Sequence, residues 1–161
     1  ESGDEQILKN IKKFTTQKKI TKAIKLTKKH KILAFGYFMF GNPGETHKSI
    51  KNTIKLAKSL PLDYAQFNRF SNLPGTTIYD EVKQKLGYDY WREYVIDKNV
   101  EKSLPRIKCD LSDNLLNYYI KRAYKEFYFR PKFIVNKLLK INSLSEFIRY
   151  VKGAIGMVYS K

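Results

Sequence analysis

The stretch "FGYFMFGNPGETHKSI", residues 35–50, decides the fold: an aromatic apolar run that ends in two glycines, a proline and an acid, with helix-forming residues behind them. The wider run "ILAFGYFMFG", residues 32–41, is apolar at both alternating sets of positions. That pattern predicts a strand buried on both faces, as in a parallel sheet covered by helices. The glycine-proline turn then sits at the carboxyl end of a parallel strand, where ligands bind in parallel α/β architectures. Gly41 and Gly44 let the backbone approach a ligand without a Cβ, Pro43 stiffens the turn, and Thr46 can cap the next helix. An ordinary βα connection would look the same from these residues alone.

The stretch is not a phosphate-binding P-loop. That motif needs GxxxxGK[ST], whereas His47 precedes Lys48-Ser49 and the count from Gly41 is one residue too long.

Outward from this turn the chain alternates. A short helix is predicted over residues 4–11. Thr15-Thr16 caps a longer one to about residue 30, whose Lys18, Lys22, Lys25 and Lys29 form a solvated face opposite Ile20, Ala23 and Ile24. After the turn comes a helix over 46–60 with Ile50, Ile54, Ala57 and Leu60 on one face, then a strand over 64–70, then a loop opening into another helix. This order marks βα units. Residues 88–110 show no period and read as loop with short helical turns. From Leu111 the spacing of Leu115, Leu116, Tyr119, Ile120, Ala123, Tyr124 and Phe127 is helical up to Arg130-Pro131. A helix around 133–139 follows, and "SLSE", residues 143–146, is a capping box for a last helix with Phe147, Ile148, Val151, Ala154, Ile155 and Val158 on one side. The expected organisation is a βα body over 1–87, a variable linker over 88–110 and an α-helical extension over 111–161.

The 161 residues carry a formal charge of +17, almost wholly from lysine. This predicts attraction to polyanions and anionic membranes. The lysines are spread from end to end instead of clustering with arginine forks, which argues against nucleic acid as the primary partner. The one cysteine, Cys109, excludes an internal disulfide framework and fits a reducing cytoplasm. Neither it nor His30 and His47 show metal-ligand spacing, so no metal site is assigned within the chain. No signal peptide is visible, and no apolar run approaches the roughly 18 residues of a membrane span.

The stretch 35–50, followed by "DYAQFNRFSNLPGTTIYDE" at residues 63–81, resembles the later strands of radical S-adenosylmethionine enzymes, particularly their cobalamin-binding class. In that family a "GLPGET"-like turn follows the fifth barrel strand and a "PxPGTxLY"-like loop the sixth. The opening "ESGDEQILKNIKKFTT", residues 1–16, resembles the segment leaving the fourth strand. "RAYKEFYFRPKFIVNKLLKINSLSEFIRY", residues 122–150, is similar to the family's helical extension. Asn42 stands where that pattern usually has Leu, and Asp4 where it has Ser.

The resemblance implies that the chain is the carboxyl-terminal portion of a partial, TIM-like (β/α) barrel with a helical extension. It assigns Glu1 and Ser2 to the amino-acid or ribose end of S-adenosylmethionine, and Phe38, Phe40, Gly41, Asn42 and Pro43 to the adenine side. Asn68, Leu73, Pro74 and Gly75 would close over the adenosine. It further implies a four-iron, four-sulfur cluster held by a CxxxCxxC upstream of this chain, cobalamin in a further upstream domain, and an electron donor such as flavodoxin or ferredoxin. The full protein would generate a 5′-deoxyadenosyl radical for methyl transfer or cyclase-like chemistry on a small molecule. No residue here is assigned a catalytic role, and the substrate is unspecified. Two other readings stay open. One is a basic RNA-binding module, with Tyr88, Tyr90 and Trp91 exposed for stacking. The other is a peripheral membrane protein, from the basic, amphipathic last helices.

Overall fold

In the computed structural model, which describes residues 1–96, 109–139, 141 and 143–159, the chain builds a small parallel sheet with two helices packed on one face. Strand β1 (Phe35–Phe40) pairs with β2 (Tyr64–Arg69) in the register Phe35↔Tyr64 through Phe40↔Arg69. Parallel pairing needs a crossover, which helix α3 (His47–Ser59) supplies. It starts on a capping box: Thr46 Oγ1 accepts from the Ser49 N–H, and Ser49 Oγ accepts from the Thr46 N–H.

Alternation along the strands sends Phe38 and Phe40, with Ala65 and Phe67, to one face. There α3 lays down Ile50, Ile54 and Ala57, and α6 (Asp113–Tyr128) lays down Leu116, Tyr119, Ala123 and Phe127. Phe67 lies among the rings of Phe38, Phe40, Tyr124 and Phe127, with centroids 5.2 to 6.2 Å away.

The other face is open, which corrects the expectation of a strand buried on both sides. Phe35 and Tyr37 are 47% and 59% exposed, because α3 and α6 both pack on the same side of the sheet. The strand is also shorter than its apolar run. Ile32 and Leu33 are exposed and belong to the turn leaving α2 (Gln17–Lys29), where Lys31 takes a φ of 60°. On α2 the four periodic lysines are exposed, and Ile20 and Ile24 pack partly against the core, as the spacing predicts, whereas Ala23, expected with them, is exposed.

Both sheet edges carry partners. On the outer edge of β2 the Ala65 and Phe67 N–H groups donate to the hydroxyls of Tyr128 (3.0 Å) and Tyr124 (3.2 Å), and Tyr128 donates in turn to the Ala65 carbonyl. These hydroxyls from α6 occupy positions a further strand would take. At the far edge of β1, the Met39 N–H donates to the Glu1 carbonyl at 3.0 Å. The segment ahead of α1 (Glu5–Asn10) therefore lies alongside β1. It runs close over α3: a Cβ on Gly3 would stand 2.6 Å from the Asn52 carbonyl oxygen and Thr53 Cα.

The remaining helices are α4 (Thr77–Leu86), closed by Gly87 at φ 75°, α5 (Tyr90–Ile96), α7 (Pro131–Leu138) and α8 (Leu144–Tyr159). Pro131 opens α7 at its first helical position, and Ser143 caps α8 through the Glu146 N–H. Tyr79, Val82 and Tyr90 form a second, smaller apolar cluster with Trp91 against it. Among the described residues no helix is long and apolar enough to cross a membrane.

Phe127 is fully buried between β2 and α7. Phe127→Ala should lower unfolding stability by about 3–5 kcal/mol in equilibrium urea denaturation.

Candidate functional site at the carboxyl ends of the strands

The turn after β1 is organised by a residue that the sequence reading did not select. Glu45 is fully buried, and its Oε2 accepts the main-chain N–H groups of Gly41 (2.5 Å) and Asn42 (3.1 Å). Asn42, also fully buried, donates from Nδ2 to the Met39 carbonyl at 2.9 Å, and the Glu45 N–H closes the turn on the Asn42 carbonyl. Asn10 of α1 donates to the Pro43 carbonyl at 3.0 Å. Gly41 and Gly44 have φ of 90° and 75°, a region that favours glycine. The N–H groups of Gly41 and Asn42 are thus engaged within the turn. What the turn presents to a ligand is a fixed shape, and Glu45 fixes it.

Two acceptors in this turn, Asn42 Oδ1 and Glu45 Oε1, are buried without a hydrogen-bond partner. Burial pushes the Glu45 carboxyl up to about 7, with the hydrogen bonds from Asn42 and Gly41 limiting the rise. A neutral carboxyl is the cheaper form to bury. The sequence signal for this role is an acid placed directly before the helix-capping Thr46, within reach of the N–H groups of its own turn.

The sequence-predicted residues outside this turn fall in different places. Glu1, through its bond to Met39, and Asn68, opposite Met39 in the register, lie at one level across the sheet. Asn68 is exposed on the open face and accepts from Gln66 Nε2 at 3.1 Å; the Glu1 carboxylate pairs with Lys13 at 3.0 Å and is 27% exposed. Phe38 and Phe40 point to the opposite, helix-covered face, so they can offer a ligand main chain but no ring. Ser2 is 1% exposed, and its hydroxyl is engaged with Thr53 Oγ1 and the Asp4 N–H, which makes it part of the packing against α3.

Leu73, Pro74 and Gly75 stand exposed on the loop after β2, with Gly75 at φ 83°. Their loop is tied down one residue earlier: the Asn72 carbonyl accepts from the Tyr90 hydroxyl (3.3 Å) and Trp91 Nε1 (2.5 Å). This corrects the stacking role considered for those rings. Tyr90 is buried and Trp91 partly so, both spent on the loop, while Tyr88 alone of the three is exposed. At the end of β2, Arg69 reaches the Asp113 carbonyl and Asn117 Oδ1, each at 2.6 Å, fastening the start of α6 to the sheet; its Nε is buried without a partner.

Cys109 is partly buried, and its thiol, raised by burial, faces the Glu45 carbonyl at 3.7 Å. His47 is exposed and shares a 2.9 Å hydrogen bond with the Tyr119 hydroxyl. Among the described residues no group of three metal-ligating side chains comes together. With a single cysteine in the chain, its thiols cannot hold an iron–sulfur cluster by themselves.

No family model matches the chain. It is 32% identical over 163 residues to a protein of Pyrococcus horikoshii named an uncharacterized methyltransferase, covering 99% of this chain and 34% of that protein. It is 24% identical over 130 residues to a tRNA-2-methylthio-N(6)-dimethylallyladenosine synthase of Herpetosiphon aurantiacus, covering 79% and 30%. Over 95 residues it is 28% identical to a bacteriochlorophyllide d C-12(1)-methyltransferase of Chlorobaculum tepidum, covering 58% and 21%. The chain spans about a third of the length of the first of these relatives.

The raised Glu45 value has a definite sign. The folded chain keeps the proton up to about pH 7 while the unfolded chain releases it near 4.5, so stability falls as pH rises between those values. Glu45→Gln should remove this part of the pH dependence, on the order of 2–3 kcal/mol between pH 4.5 and 7.5, in urea denaturation. Glu45→Ala strands two main-chain donors and should cost about 1–3 kcal/mol even at pH 5.

Proposed function

We propose that this chain forms the last two βα units, and the helical extension, of a radical S-adenosylmethionine enzyme acting in methyl transfer or a related group modification. The observation that carries the proposal is the pair Met39 and Asn68 near the carboxyl ends of parallel strands, on the face that α3 and α6 leave open, with Glu1 hydrogen-bonded to Met39 at the strand edge. An open sheet face of this kind is what a barrel interior requires, and the covered edge of β2 suits a final strand. The names of the relatives, two methyltransferases and a methylthio-group synthase, support the same class of chemistry.

These three residues fit S-adenosylmethionine. The Glu1 carboxylate suits the amino-acid ammonium or the ribose hydroxyls, and the Asn68 amide suits the donor–acceptor edge of a purine. Met39 and the strand-end backbone give apolar contact beneath it. In this reading Leu73, Pro74 and Gly75, exposed on the loop after β2, close over the adenosine. Radical chemistry would be supplied by the cofactor with an iron–sulfur cluster, whose ligands belong upstream of Glu1, as does any cobalamin. This chain's own part is to position the cofactor and exclude water. The electron donor would be a small redox protein of the flavodoxin or ferredoxin type.

In the full-length protein, purified and reconstituted without oxygen, Asn68→Ala should weaken S-adenosylmethionine binding about tenfold by calorimetry, the loss of one to two hydrogen bonds. Reductant should convert the bound cofactor to 5′-deoxyadenosine. A full-length protein with no cysteine triad upstream of Glu1, or one whose cofactor affinity is untouched by Asn68→Ala and by Glu1→Ala, would overturn the assignment.

A further inference from the structure

The last two helices carry apolar stripes that remain exposed. On α8, Leu144, Phe147, Ile148, Val151 and Ile155 recur at helical spacing and are 39 to 74% exposed, while Glu146 and Tyr150 are the half-buried side. On α7 the arrangement repeats: Ile134, Val135 and Leu138 are exposed, and Phe133 and Lys137 face inward. An amphipathic helix that served only to cover its own domain would be rotated the other way.

The inward side is held firmly. Lys137 Nζ lies 3.9 Å above the Tyr64 ring and 5.6 and 5.8 Å from those of Phe133 and Tyr150, while Tyr150 donates to Glu146 at 3.2 Å. Between the two helices and the start of β2 runs an apolar groove of about 420 Å³, with Phe133, Ile134, Leu138, Phe147 and Val151 in its lining and Lys137 and Arg149 as its cations. The two stripes and the groove therefore form one surface.

Its charge selects the occupant. Residues 131–159 contain five cations, Lys132, Lys137, Lys140, Arg149 and Lys152, against the single acid Glu146, within a chain of net charge +17. A second copy of the chain would bring the same positive field to the contact and be repelled. An anionic bilayer is complementary in both respects: its acyl boundary takes an apolar stripe and its headgroups take the flanking lysines. We infer that the segment formed by α7 and α8 is a membrane-docking element that lies in the interface of an anionic bilayer, with the apolar stripes in the acyl boundary and Arg149 and Lys152 at headgroup level. The inference is independent of the cofactor assignment, which concerns the other end of the sheet.

Flotation of the full-length protein with vesicles tests it. The protein should float with vesicles of phosphatidylglycerol and phosphatidylcholine, and at least tenfold less with phosphatidylcholine alone or in molar salt. Val151→Asp with Ile155→Asp, both at exposed positions, should abolish flotation while circular dichroism and elution volume stay unchanged. Should that pair disturb folding, Arg149→Gln and Lys152→Gln should each lower partitioning about fivefold. Failure to float with anionic vesicles would overturn the inference. So would flotation indifferent to both pairs of substitutions, or a dimer in solution that Val151→Asp with Ile155→Asp dissociates without affecting vesicle binding.

Discussion

Two tyrosine hydroxyls hold this structure to its shape. A pair of parallel six-residue strands has neither the hydrogen bonds nor the buried area to persist alone. Tyr124 and Tyr128, one helical turn apart on α6, reach the outer edge of β2 and bond its Ala65 and Phe67 main-chain groups. The same helix turns Leu116, Tyr119, Ala123 and Phe127 onto the sheet. One element thus supplies both edge and cover, and Arg69 pins its first turn to the strand end. The geometry of everything at the carboxyl ends of the strands depends on that docking.

A core built on one side has a consequence for chemistry. Because α3 and α6 share a face, the alternate residues Tyr37, Met39, Gln66 and Asn68 are left on an uncovered one, next to a turn whose backbone Glu45 has fixed. Packing supplies rigidity, and the open face supplies access. The carboxyl at the turn has no cation partner among the described residues, and burial drives its proton affinity up.

The helical end of the chain follows a different logic. Phe133, Tyr150 and Lys137 are gathered inward, and a mainly aliphatic stripe that includes Phe147 is left on the outside. The loop after β2 is likewise held by aromatic donors, Tyr90 and Trp91, acting on one carbonyl. In both places aromatic residues that could pass for surface contacts are structural ties, and the surface that remains is aliphatic and basic.

By itself the sequence determined the order of the main elements and several of their starts. Thr16, Thr46 and Ser143 mark helix starts where the structure has them, whereas Pro131, read as the break after α6, is itself the first residue of α7; the periodicities of α3 and α6 name the faces that pack on the core. These features are local: a cap or a 3.6-residue period is written within one stretch of chain. Only the tertiary structure decided which faces are covered. Phe35 and Tyr37 are as apolar as Phe38 and Phe40, and nothing in their spacing says that both covering helices lie on one side. The same holds for Glu45 and Ser2, whose burial depends on a turn and a helix folding over them, and for Tyr90, whose partner lies 18 residues away. Burial arises from contacts between segments distant in sequence, so residue type and period constrain it but cannot fix it.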